Sequence, residues 1–235
     1  MTLFVRCVRL AALVLVSTAV VSYAQETAAS NRKIAGGGIQ APGWTGKVDA
    51  NAEKAGQTVN DDKLVADGKD MKITTGPPVT YWNPANVAKG DYTVSATFLE
   101  PKFMNLNDHP HPYGIVIAGN GLGTADQSYL YCAAYGSGKF IVRGMGPESF
   151  QLNARGEVNE AVHKAAAPGV PVSQEIAMQV KGDTVSCIIN GTVVKTFAKA
   201  ELVAPGKLKS TDGVWGIRFA HNTEAVVSNL KVTTP

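Results

Sequence analysis

Between Glu175 and Phe197 the chain reads EIAMQV, KGD, TVSCII, NG and TVVKTF, three strand-like runs joined by two short turns. Ile176, Met178 and Val180 alternate with Glu175, Ala177 and Gln179; Val185, Cys187 and Ile189 alternate with Thr184, Ser186 and Ile188. A period of two puts one set of side chains on a single sheet face. Asn190-Gly191 supplies the two positive-φ residues of a type I′ hairpin, and Lys181-Gly182-Asp183 suits a slightly longer turn. The stretch predicts an antiparallel meander with one buried face, and any fold for this chain must contain it.

The remaining strand signals are of the same kind. GWTGKVD from Gly43 is the expected first strand, and Asp61 to Thr75 holds two short strands about a turn at Asp67-Gly68. Pro77 to Trp82 is extended, and its prolines suit a sheet edge. Asp91 to Glu100 alternates, with Tyr92, Val94, Ala96 and Phe98 on one face. Tyr113–Ala118, Gln127–Tyr135, Lys139–Met145 and Ser149–Leu152 continue the pattern. A single helical turn fits Ala198–Leu202, and two more strands fit Val214–Ala220 and Ala225–Thr233. Short strands separated by Gly, Pro and Asn turns predict an all-β, two-sheet antiparallel sandwich with little helix.

The first residues read as an address. Arg6 and Arg9 precede an uncharged run, Leu10 to Val21, and Ser22-Tyr23-Ala24 carries small residues where a signal peptidase reads. The run is shorter than the roughly 20 residues of a membrane-spanning helix. Residues 1–24 are therefore expected to be a signal peptide, 25–41 a flexible Gly-rich leader, and 42–235 a single β-sandwich domain, secreted or periplasmic. Losing Arg6 and Arg9 leaves 20 of the 22 basic residues against 19 acids, so the mature chain is nearly neutral. No basic stripe remains, which argues against nucleic acid as a partner.

Cys7 leaves with the address, and Cys132 and Cys187 remain as a pair for an oxidising compartment. Both sit on the apolar side of their strands. A disulfide or two buried thiols would fit, because the distance between them decides.

The order EIAMQVKGDTVSCIINGTVV, a helical turn, then GVWGIRFAHNTEAVVSNLKV resembles the C-terminal half of concanavalin A-like lectin/glucanase domains. Within them it is nearest the secreted bacterial branch of 3-keto-disaccharide hydrolase-like domains. Trp44 and the YGIVIAG strand lie where that branch has a first-strand Trp and a loop-to-strand signal. The resemblance implies a jelly roll whose concave face holds sugar. The chain departs from the branch in two places: SYLYCAAY carries no acid, and Ala118-Gly119 stands where the branch has an Arg. The Glu-x-Asp-x-x-Glu run of glucanases with this fold is also missing.

Tyr129, Tyr131 and Tyr135 share a strand face, with Arg143 on the neighbouring strand and Trp82, Trp215 and Arg218 available to join them. Flat rings pack on pyranose C–H faces while a guanidinium bonds hydroxyls, so this set is the expected carbohydrate site. The function expected is carbohydrate recognition without catalysis. The alternatives are a glycoside hydrolase with its acids on loops and a structural envelope protein.

Asp108-His109-Pro110-His111 is the sharpest constellation, since imidazole and carboxylate suit zinc or copper. Pro110 limits how the rings converge, further ligands must come from elsewhere (His163 or His221), and solvated histidines on a stiff loop are the simpler expectation. His109 and His111 are also counted with the sugar-binding residues. Asp61, Asp62, Asp67 and Asp70 are crowded enough for calcium, without a commitment to it. Asn190-Gly191-Thr192 matches a glycosylation sequon that its hairpin turn already explains.

Overall fold

The computed structural model describes residues 31–235. The proposed signal peptide and the first residues of the leader lie outside them. In chain order the strands are β1 Gly38–Gln40, β2 Thr45–Val48, β3 Lys63–Asp67, β4 Asp70–Thr74, β5 Val79–Ala88, β6 Tyr92–Glu100, β7 Pro112–Asn120 and β8 Ser128–Tyr135. They continue as β9 Lys139–Met145, β10 Ser149–Gln151, β11 Glu157–Val158, β12 Val172–Lys181, β13 Thr184–Ile189, β14 Thr192–Ala198, β15 Gly213–Phe219 and β16 Glu224–Thr233. Two short helices, α1 Ala50–Lys54 and α2 Lys199–Leu202, and a 3-10 turn at Val59–Asp61 complete the elements.

The strands form two sheets. One runs β1-β3-β4-β16-β6-β12-β13-β14, and the other runs β10-β9-β8-β7-β15-β5-β2 with β11 on β9. All pairings are antiparallel except β1 with β3. The predicted all-β sandwich is the observed fold. β12, β13 and β14 are the meander, and Asn190 and Gly191 turn it with φ of 49° and 80°. No helix among the described residues is long and apolar enough to cross a membrane.

The inward faces meet in one core. Tyr92, Val94, Ala96 and Phe98 of β6 lie opposite Ile115, Ile117, Leu130, Phe140, Ile217 and Phe219 of the second sheet, each 2% exposed or less. Cys132 on β8 and Cys187 on β13 are both fully buried and bonded, with Cα atoms 5.9 Å apart, within the usual span of a disulfide. The bond crosses the core and staples one sheet to the other.

Two expectations need correction. The segment expected as free leader reaches back into the fold: β1 pairs with β3 in parallel, and Gly38 N–H donates to Asp62 O at 2.6 Å. Gly37 makes this possible, because a Cβ there would overlap the backbone at Asn60 and Asp62. The Pro77–Trp82 stretch is not an edge either. β5 lies between β15 and β2, and Pro77 and Pro78 end before the strand begins, so they remove no ladder hydrogen bond.

Candidate functional site

Strand alternation sends Tyr129, Tyr131, Ala133 and Tyr135 to the outward side of the second sheet, opposite Leu130, Cys132 and Ala134 in the core. One row across that side reads Arg143, Tyr131, Val116, Gly216, Trp82 and Thr45. The next reads Ile141, Ala133, Gly114, Arg218, Thr80 and Lys47. Neither row carries an acid. Gly114 and Gly216 interrupt the large side chains for a steric reason: a Cβ would overlap the backbone carbonyls of Cys132 and Tyr81 respectively.

Arg218 is the centre of this face. Its two terminal nitrogens donate to Asp49 Oδ1 and Oδ2 at 2.8 and 2.6 Å, and one of them also reaches Thr80 Oγ1 at 2.9 Å and the Tyr129 hydroxyl at 3.2 Å. The guanidinium carbon lies 4.9 Å from the Tyr131 ring centroid, within cation–π range. Tyr129, Tyr131, Trp82 and Arg218 are all buried. They support the face rather than project from it.

The accessible part is the rim. Tyr135 and Arg143 are half-buried, and the Arg143 Nε–H, itself shielded, has no hydrogen-bond partner. Burial raises the Tyr135 hydroxyl pKa, while Arg155 and Arg143 act to lower it, so both cations lie close to that ring. Trp215 does not join the face. Alternation along β15 puts it on the opposite side with Ile217 and Phe219, where it lines a separate cleft with Trp44.

The three residues His109, His111 and His221 form a second cluster. Its position follows from core packing. Phe98, Tyr113 and Phe219 stack with centroids 5.7 to 6.3 Å apart, tying together the ends of β6, β7 and β15. His111 lies two residues before Tyr113 and His221 two after Phe219, and Ala220 N–H donates to Pro112 O at 2.9 Å, so the two histidines face across the end of one ladder. His109, on the β6–β7 loop, reaches the same place, its ring centroid 4.3 Å from that of His111 and 6.4 Å from that of His221.

The rings do converge, Pro110 notwithstanding. His109 and His111 place Nε2 atoms 2.7 Å apart, and one ligand nitrogen from each of the three rings lies within 4.8 Å of the others. Asp108 Oδ1 contacts His109 Nδ1 at 2.5 Å, and His111 Nδ1 lies 2.7 Å from His221 O. Burial pushes the His111 imidazole down to about 4 and lowers His221 as well. The hydrogen bond to His109 lowers the Asp108 carboxyl. His163 lies elsewhere, its ring nitrogen on Ser173 O at 2.8 Å.

The four crowded aspartates do not gather. Asp61 accepts from Thr58 N–H at 2.8 Å, Asp67 pairs with Lys72 at 2.7 Å, and Asp62 accepts from Gly76 N–H at 2.7 Å. Burial sets two acids apart: Asp62, one of the calcium candidates, and Glu100, read from sequence only as the end of a strand. Burial raises Asp62 to about 8 and Glu100 to about 7. Glu100 carries a faint signal, since it shares the inward parity of Phe98 on β6.

No family model matches the chain, and no curated protein sequence does. Solved structures resemble it in fold. The carbohydrate-binding module CBM66 from Bacillus subtilis is 9% identical with a TM-score of 0.52, over 82% of this chain and 96% of that one. The endo-beta-1,3-glucanase of Pyrococcus furiosus is 11% identical with a TM-score of 0.50, over 84% and 90%. A Bacillus subtilis protein of unknown function with a galectin-like fold is 13% identical with a TM-score of 0.50, over 80% and 88%. At such identities the likeness is one of fold.

Proposed function

We propose that this is an extracytoplasmic carbohydrate-recognition domain that binds its ligand without turnover, at the Tyr135–Arg143 rim of the second sheet. The observation that carries the reading is the half-buried Arg143 guanidinium at the rim, near enough to the half-buried Tyr135 ring to act on its hydroxyl. A sugar satisfies both at once, its C–H face on the ring and a hydroxyl on the guanidinium. Buried Arg218, locked by Asp49, holds Tyr131 rigid behind the rim.

Glycoside hydrolysis needs two carboxylates about 5 to 9.5 Å apart. The rows of the face supply none, and Asp49 is committed to Arg218. The buried disulfide fits an oxidising compartment.

The test is a glycan-array screen of the protein beside Tyr135→Ala and Arg143→Gln variants, with folding followed by circular dichroism. Binding weakened at least tenfold in both variants supports the rim. Binding that survives in both and disappears in Trp44→Ala moves the site to the Trp44–Trp215 cleft and overturns the rim. Binding of no sugar by the folded protein overturns the function.

A further inference from the structure

We propose that His109, His111 and His221 form a binding site for one divalent first-row transition-metal ion, held through imidazole nitrogens at the end of the β7–β15 ladder. The tautomers carry the argument. His221 O can only accept, so His111 Nδ1 must carry the proton of that 2.7 Å hydrogen bond. The Asp108 carboxylate oxygen accepts, so His109 Nδ1 carries its proton too. In the neutral rings both Nε2 atoms are then lone-pair acceptors, and they face each other at 2.7 Å. Two acceptors at that distance repel unless a proton or a metal ion is shared between them, and a metal ion can draw on the third ring as well.

The surroundings have the form of a ligand shell. A carboxylate on one ring and a backbone carbonyl on another are the usual second-layer partners that orient metal-binding histidines. His221 adds a buried Nδ1 with no hydrogen-bond partner. Its turn is pinned from two sides. Asn107 Nδ2 donates to Asn222 O at 2.7 Å, and Thr75 Oγ1 donates to Ala220 O at 2.7 Å. Tetrahedral zinc with Zn–N of about 2.0 to 2.1 Å sets nitrogens roughly 3.3 Å apart. The present spread, from 2.7 Å to within 4.8 Å, reaches that value by small ring rotations. Three imidazoles suit zinc, copper or nickel, whereas calcium and magnesium prefer oxygen. The His109 side chain is 46% exposed, which opens an entry path and leaves a fourth position to water or a ligand.

The site also lies beside the proposed sugar rim, since Pro112, next to His111, is the direct partner of Tyr135 on β8. The metal proposal does not depend on the rim, because its test reads metal alone.

The experiment is calorimetric titration of chelator-treated full-length protein with Zn²⁺, with Co²⁺ as a spectroscopic probe. One Zn²⁺ per chain is expected, with the visible bands of low-symmetry four-coordinate cobalt. Binding should fall at least a hundredfold in His109→Ala and His111→Ala, and about 10- to 100-fold in Asp108→Ala. His163→Ala should bind as the parent does. Should His111→Ala fail to fold, half-exposed His109→Ala carries the test. Failure of the folded parent to bind Zn²⁺, or unchanged affinity in His109→Ala, overturns the proposal.

Discussion

Arg218 grips both carboxylate oxygens of Asp49, 169 residues earlier in the chain, at 2.8 and 2.6 Å. The pair joins β15 to the segment leading into α1, and so ties the first quarter of the domain to its penultimate strand.

Removing one partner leaves the other charge shielded and unpaired. Asp49→Ala is therefore expected to lose about 2 to 4 kcal/mol, the lower end reflecting the partly exposed carboxylate, whose side chain is 31% accessible. Arg218→Met with Asp49→Leu should recover most of it, because an apolar pair leaves no buried charge. Urea unfolding of the single and double variants measures both. A double variant as unstable as Asp49→Ala would assign the loss to packing.

The Cys132–Cys187 bond closes a loop across a sequence separation of 55 residues. Chain entropy predicts a loss of about 4 kcal/mol on removing such a crosslink, and measured cases cluster at about 2 to 4. Cys132→Ala/Cys187→Ala should show that drop in chemical denaturation, as should the reduced parent. A double variant that unfolds at the same denaturant concentration as the parent would contradict the stapling role.

Asp62 and Glu100 set a pH dependence of unusual sign. Burial raises their folded pKa values to about 8 and about 7, above the ordinary 3.8 and 4.5. The folded protein then holds protons that the unfolded chain has released, so stability falls as pH rises from about 4 towards 8. Their stabilising contribution is full below the unfolded values and lost through the folded ones. Asp62→Asn keeps an acceptor for Gly76 N–H and removes one ionisation. Its melting temperature should fall less steeply than the parent's between pH 5 and 9, and parallel profiles would refute this reading.

Asn190 does more than turn a hairpin. Its Oδ1 accepts from Glu175 N–H at 2.7 Å, and its Nδ2 donates to Ala161 O at 2.7 Å and Gln174 Oε1 at 2.8 Å. Asn190→Gly preserves the positive φ and loses all three bonds, at an expected cost of about 2 to 3 kcal/mol. Asn190→Ala adds backbone strain and should cost about 1 kcal/mol more. Thermal melts of the two variants give the order, and a neutral Asn190→Gly would reduce the residue to its turn geometry.

Alternation along Glu175–Ile189 and Tyr92–Glu100 was enough to read two buried sheet faces, because inward and outward side chains repeat every second residue whatever the partner strand is. The same parity placed Cys132 and Cys187 in the core and Tyr129, Tyr131 and Tyr135 outside it. Local sequence carries that information because strand geometry is local. It does not carry partnership. That β1 leaves the Gly-rich leader to pair with β3 and that β5 is interior both depend on which strands become neighbours. Arg218 was legible as a polar residue on an outward face, but its capture by Asp49 was not. The histidines show the division most clearly. His109 and His111 were visible together in four residues, while His221 reached them only because Phe98, Tyr113 and Phe219 pack the ends of three strands into one place.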